Sequence, residues 1–96
     1  MQPESLFKIK VLNRLAKLPK SRFFKIQSVS VRGIPDILGV VNGRFVALEL
    51  KVGKNKADAL QELTLHLLRE AGGFARVVTP DNLDETLDLL TRLSED

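Results

Sequence analysis

The stretch Asp36-Ile37-Leu38-Gly39-Val40-Val41-Asn42-Gly43-Arg44-Phe45-Val46-Ala47-Leu48-Glu49-Leu50-Lys51 decides how the chain is read. Two apolar runs rich in strand-forming residues flank Asn42-Gly43, the dipeptide that supplies both left-handed positions of a tight type I′ turn. An antiparallel hairpin follows. Side chains at i and i+2 share one face of a strand, so Glu49 and Lys51 lie together while Val46, Leu48 and Leu50 fill the other face. Counting back from the turn brings Asp36 towards Glu49 and Lys51. Two carboxylates near one point suit a hard divalent cation, which prefers oxygen ligands. The neighbouring lysine adds a positive group that could steer or activate a water.

Working outward, Gly33-Ile34-Pro35 precedes the hairpin, and the proline and glycine break the segment before it. That earlier segment, Phe23 to Val31, alternates apolar and polar from Phe24 onward and reads as a strand. Before it, Leu6, Phe7, Ile9, Val11, Leu12, Leu15 and Leu18 recur every three or four residues, predicting an amphipathic helix from Pro3 to about Lys17. Pro3 suits the first turn, and Glu4 complements the macrodipole there. Beyond Lys51, Val52 to Lys56 reads as a loop and Ala57 to Ala71 as a helix. The helix has a stripe of Leu60, Leu63, Leu67 and Ala71, widened by Thr64 and Leu68, and Gly72-Gly73 stops it. Phe74 to Val78 is a short strand. Thr79 is the expected N-cap of a last helix from Pro80 to about Leu93, burying Leu83, Leu87 and Leu90. The order α-β-β-β-α-β-α predicts a single α/β domain over residues 1–96, with a small mixed sheet between helices.

Charge is unevenly spread along the 96 residues. Residues 1–56 carry twelve Lys and Arg against only Glu4, Asp36 and Glu49, leaving +9, while residues 57–96 carry three against nine acids, leaving −6. A basic half and a pI near 9.5 point to a polyanionic partner, nucleic acid foremost. The basic residues Lys20, Arg22, Arg32, Lys54 and Lys56 are the expected contacts. The absence of cysteine removes disulfides and thiolate metal sites. No apolar run approaches the roughly 18 to 20 residues of a membrane span, and the N-terminus lacks a signal-peptide layout. The expected location is the cytoplasm.

Gly33-Ile34-Pro35-Asp36, then Glu49-Leu50-Lys51, then Gln61 in the following helix and its Ala71-Gly72-Gly73 end resemble the virus-type replication-repair nuclease (VRR-NUC) domain of the PD-(D/E)XK nuclease superfamily. The resemblance runs from about Glu4 to Val78. It implies a restriction-endonuclease-like αβββαβ core with an extra C-terminal helix, and a Mg²⁺- or Mn²⁺-dependent endodeoxyribonuclease. By the resemblance, Asp36 and Glu49 are carboxylate ligands of the metal, with the Leu50 backbone carbonyl a third oxygen. Lys51 positions the attacking water, Gln61 stands near the site, and Glu4 is the helix-borne acid that completes the metal shell. Stand-alone members resemble homodimeric Holliday-junction resolvases, which implies branched DNA as substrate, a role in replication, repair or recombination, and a phage or mobile-element setting.

Other readings stand beside this one. Glu49 and Lys51 can be a plain salt bridge, Asp36 a strand-entry residue, Glu4 a first-turn helix charge and Gln61 a polar helix position. His66 falls on a charged helix face between Glu62 and Glu70. Phe23 and Phe24 read as core, and without Trp or Tyr there is little sign of a single-strand stacking surface. At the level of function, the alternatives are a catalytically silent member of the same fold that binds DNA or a protein, and an unrelated α/β interaction domain. A small-molecule phosphoesterase is disfavoured by the lack of a glycine-rich phosphate loop.

Overall fold

Asn42 and Gly43 both adopt positive φ, 49° and 84°, as the type I′ turn demands. The computed structural model, which describes residues 2–27 and 30–96, builds outward from this turn. The hairpin pairs β2 (Ile37–Val41) with β3 (Arg44–Leu50), from Val41 opposite Arg44 to Ile37 opposite Leu48. Strand β1 (Ser21–Lys25) adds antiparallel to the outer edge of β2. Strand β4 (Phe74–Val78) adds parallel to β3, giving a mixed four-stranded sheet in the order β1-β2-β3-β4. A parallel neighbour needs a crossover, and helix α2 (Ala59–Glu70) provides it. Helices α1 (Pro3–Leu15) and α3 (Leu83–Glu95) complete the chain.

Alternation along the strands gives each sheet face its own core. One face packs Ile37, Val41, Val46, Leu48 and Val78 against Phe7, Val11 and Leu15 of α1 and Leu83 and Leu90 of α3. Each such aliphatic side chain taken fully out of water contributes about 1.5–3 kcal/mol. The opposite face packs the small Ala47 and Ala75, with Leu38 and Val77, against Leu65 and Leu68 of α2. The α/β class, the element order and the mixed sheet are those the sequence predicts. Among the described residues no helix is long and apolar enough to cross a membrane.

Several expectations are corrected. The stripe Leu60, Leu63 and Leu67 of α2 faces out, at 43%, 51% and 56% exposure, and Leu65 is buried instead. The helix is turned so that Gln61, Thr64, Leu65 and Leu68 look towards the sheet. It also starts at Ala59, capped by Asp58. Strand β1 is shorter and earlier than Phe23 to Val31, because β2 offers partners only from Ile37 to Val41. Ser28 and Val29 of that expected strand lie outside the described residues. Phe23 packs on the core but Phe24 is 60% exposed. Helix α1 ends at Leu15, two residues before the expected Lys17. Thr79 does make the bond expected of a cap, its Oγ1 accepting from the Asn82 N–H at 3.3 Å, but it closes a turn ahead of the helix and not the helix's own first turn. Asn82 accepts from the Thr79 N–H through Oδ1 and donates to the Val77 carbonyl through Nδ2, so α3 begins at Leu83.

Candidate functional site

The site forms where β2 begins and β3 ends. One step past the last ladder pair, Ile37 with Leu48, the register sets Asp36 across from Glu49. Asp36 is held twice. Its carbonyl accepts from the Ile26 N–H at 2.8 Å, and its Oδ2 accepts from the Leu50 N–H at 2.8 Å. A strand residue's N–H and C=O point towards the same neighbouring strand. The Leu50 carbonyl is therefore on the Asp36 side, while the Lys51 N–H turns the other way, to the Val78 carbonyl at 3.0 Å.

Gly33 explains how the preceding loop reaches this position. Its φ is +82°, and a Cβ there would stand 2.9 Å from Leu60 Cγ and 3.1 Å from Thr64 Oγ1. Only glycine combines that backbone with such close approach to α2. Pro35, buried, then leads directly into Asp36.

Glu49 is the most confined carboxylate of the site, 3% exposed. Its Oε2 receives two donors: Gln61 Nε2 at 2.8 Å and Lys51 Nζ at 3.2 Å. Its Oε1 is buried with no hydrogen-bond partner among the described residues. Burial, and secondly the Asp36 charge, push the Glu49 carboxyl above its ordinary value, while Lys51 pulls the other way. A buried acceptor left without a donor costs about 1–3 kcal/mol. A bound cation would relieve both that cost and the repulsion between the two carboxylates.

Gln61 has a double task. Its Oε1 accepts from the Asp58 N–H at 3.0 Å, while Asp58 Oδ1 accepts from the Gln61 N–H at 2.8 Å, a reciprocal capping box that opens α2. The remaining amide nitrogen is the one that holds Glu49. A helix start and a site carboxylate are thus fastened by one side chain.

A cavity of about 240 Å³ collects Asp36, Glu49, Leu50, Lys51 and Gln61 with Glu4 and Lys8 of α1. Glu4 therefore lines the site, but among the described residues no three His, Asp or Glu side chains converge into one metal-holding group. The oxygen donors nearest one another along the strand pair are Asp36 and Glu49, with the Leu50 carbonyl on the Asp36 side. This set fits a small hard cation that keeps several of its own waters and takes only one or two protein carboxylates, as Mg²⁺ does.

The basic residues divide by position. Arg32 lines a neighbouring cavity that shares Asp36. Lys54 and Lys56 are exposed on the loop joining Lys51 to α2. Lys20 and Arg22 stand at the other end of the sheet: the Lys20 carbonyl accepts from the Asn42 N–H in the hairpin turn, and Arg22 pairs with Val40. At about 3.4 Å per strand residue, Arg22 is roughly 14 Å and Lys20 roughly 20 Å from Asp36 along the strands. His66 is exposed and lies 3.7 Å from Glu70 on the outer side of α2, away from the site. Sequence reasoning missed Lys8, whose place on the inner side of α1 could have been found from its position one residue after the core Phe7 and four after Glu4. The chain matches no protein-family model and no curated protein.

Proposed function

We propose that this protein is a Mg²⁺- or Mn²⁺-dependent, structure-selective DNA endonuclease of the PD-(D/E)XK kind, similar to VRR-NUC domains. The observation that carries the reading is the buried, partnerless Oε1 of Glu49, beside Asp36 and with Lys51 on the other oxygen. In this reading Asp36, Glu49 and the Leu50 carbonyl hold the cation. When bound, it would supply a positive charge that acidifies a water and offsets charge developing on the phosphate.

The chain's own groups do the rest. The Leu50 N–H keeps the Asp36 carboxylate turned towards β3, so its second oxygen is left for the cation. Gln61 and Lys51 both hold Glu49 Oε2, which leaves Oε1 as the ligand atom. In this reading Lys51 Nζ, part-exposed and 3.2 Å from Glu49 Oε2, orients a water and binds a phosphate oxygen. Glu4 is proposed to complete the shell through a water. The proposed substrate is branched DNA, a four-way junction foremost. The proposed assembly is a homodimer whose two sites cut paired strands.

The test is cleavage of a synthetic four-way junction beside flap, linear duplex and single strand, with Mg²⁺ or Mn²⁺, by wild type and Glu49→Gln. Paired symmetric cuts that vanish in the variant support the full reading. Cutting of flaps or duplex instead keeps the chemistry and removes the junction. Cation-dependent cutting absent from every substrate, with DNA still bound, leaves a silent DNA-binding module.

A further inference from the structure

A second cavity, about 500 Å³, adjoins the carboxylates and has no part in the chemistry proposed above. It shares Asp36 and Lys8 with the first, so the two adjoin at that pair. Its walls are mixed: Ile26, Val31 and Ile34 contribute apolar surface, and Lys8, Gln27, Arg32 and Asp36 contribute polar groups. That volume lies within the ~300–1,000 Å³ usual for sites that bury small ligands.

Lys8 marks the boundary. Of the basic residues in α1, Lys10 and Arg14 are exposed, and Arg14 lies 3.6 Å from Asp84. Lys8 is half-buried and forms no ion pair among the described residues, not even with Glu4 one turn before it. Glu4, Asp36 and Glu49 line the same concavity, yet none of them is within ion-pair distance of Lys8, and an ammonium not held in an ion pair is suited to an anion brought from outside. Arg32 places a second cation on the same concavity. Three apolar side chains between two cations match one nucleotide: a flat base with a phosphate on either side.

We propose that the second cavity receives one unpaired nucleotide of the bound DNA strand, adjacent to the cut, with Lys8 on the phosphate between the two cavities and Ile26, Val31 and Ile34 around the base. This rests on the nuclease reading for the position of the cut, and it explains selectivity for branched DNA. An unpaired base at a junction or flap enters without the few kcal/mol that extrusion from a duplex costs. A fully paired strand must meet that cost.

The experiment places 2-aminopurine at successive positions of one strand around the branch and follows its fluorescence on binding, with Ca²⁺ replacing Mg²⁺. The fluorophore is quenched by stacking on neighbouring bases, and among the described residues the cavity offers no aromatic side chain to replace them. The expected result is a fluorescence rise at one position only. Lys8→Gln weakens binding about tenfold and lowers the salt slope by about 1. Val31→Asp, at an exposed position, abolishes the rise by setting a carboxylate at the mouth. Tight binding with no rise at any position overturns the proposal, and cutting by the same preparation in Mg²⁺ then leaves the nuclease reading intact. A rise at one position without cutting in Mg²⁺ or Mn²⁺ supports the nucleotide cavity and removes the nuclease. No DNA binding at all overturns both.

Discussion

At the residue scale, Glu49 and Lys51 form one ion pair whose halves act on stability in opposite directions. Glu49 is buried beside Asp36, and its carboxyl is raised, burial being the larger cause. A carboxyl raised in the folded state binds its proton more tightly there than in the unfolded chain. The stability this brings is fully present below the ordinary value of 4.5 and is lost as pH rises through the folded value. Metal-free Glu49→Gln is therefore expected to melt higher than metal-free wild type at neutral pH, with the gap shrinking as pH falls towards 4.5. In a domain of this size 1 kcal/mol moves Tm by about 4–8 °C, and a shift of that order is expected. Mg²⁺ should then raise the wild-type Tm and leave the variant unmoved. Lys51→Met instead removes the compensating charge and leaves Glu49 buried, which should cost about 1–3 kcal/mol. Thermal melts across pH, with and without Mg²⁺, check all three. If Glu49→Gln melts lower at every pH, Glu49 is a structural charge rather than a reserved ligand. Gln61→Ala should weaken Mg²⁺ affinity about 10- to 100-fold, as loss of a ligand's supporting hydrogen bond does, with Mg²⁺ titration as the readout.

At the element scale, two left-handed residues sit at opposite ends of the sheet and separate stability from function. Gly33→Ala puts a methyl within 2.9 Å of Leu60 at φ +82°. A strained left-handed residue costs about 1–3 kcal/mol. Any relief by moving the loop displaces Asp36, so cation affinity should fall further than stability alone explains. Asn42 lies at the hairpin turn, where its Nδ2 donates to the carbonyls of Leu93 and Asp96 at the end of α3. Asn42→Gly keeps the turn and loses that tie, so it should lower stability by about 1 kcal/mol and leave cation binding unchanged. Denaturant melts paired with Mg²⁺ titration distinguish the two variants. The same contrast explains what could be read in advance. The hairpin, the Asp36–Glu49–Lys51 face and the element order were legible because Asn-Gly and period-two alternation are local signals. The phase of α2 was not, since leucines occur at 60, 63, 65, 67 and 68 and satisfy more than one stripe. The helix is turned by Gln61 reaching Glu49 and by small Ala47 and Ala75 admitting Leu65, contacts made across the fold. The start of α3 was missed by three residues for a related reason: Thr79 does exchange cap bonds with Asn82, but Asn82 also ties to the Val77 carbonyl of β4, and the helix begins only after it.

At the scale of the whole molecule, the uneven charge of the sequence becomes a partial polarity of the fold, with Lys20, Arg22 and Arg44 remaining at the hairpin end. Lys8, Arg32 and Lys51 line the two joined cavities, Lys54 and Lys56 stand on the loop beside them, and Lys25 pairs with Ile37 next to Asp36. The exposed acids Asp84, Glu85, Asp88 and Glu95 are carried by α3, which packs with α1 on the sheet face opposite α2. A strand of DNA approaching along this polarity would be drawn to the site end and repelled from α3. Each phosphate neutralised adds about 0.9 to the slope of log K against log salt. Replacing Lys54 and Lys56 together by alanine should therefore lower the slope by about 2, with affinity falling uniformly across DNA sequences. The far-end pair Lys20 and Arg22, roughly 14 to 20 Å away along the strands, should change the slope by less than about 1 when replaced in the same way. Fluorescence anisotropy over a salt series measures both. The reverse result would put the DNA along the hairpin turn, out of reach of Asp36 and Glu49, and those carboxylates would then have no phosphodiester to act on.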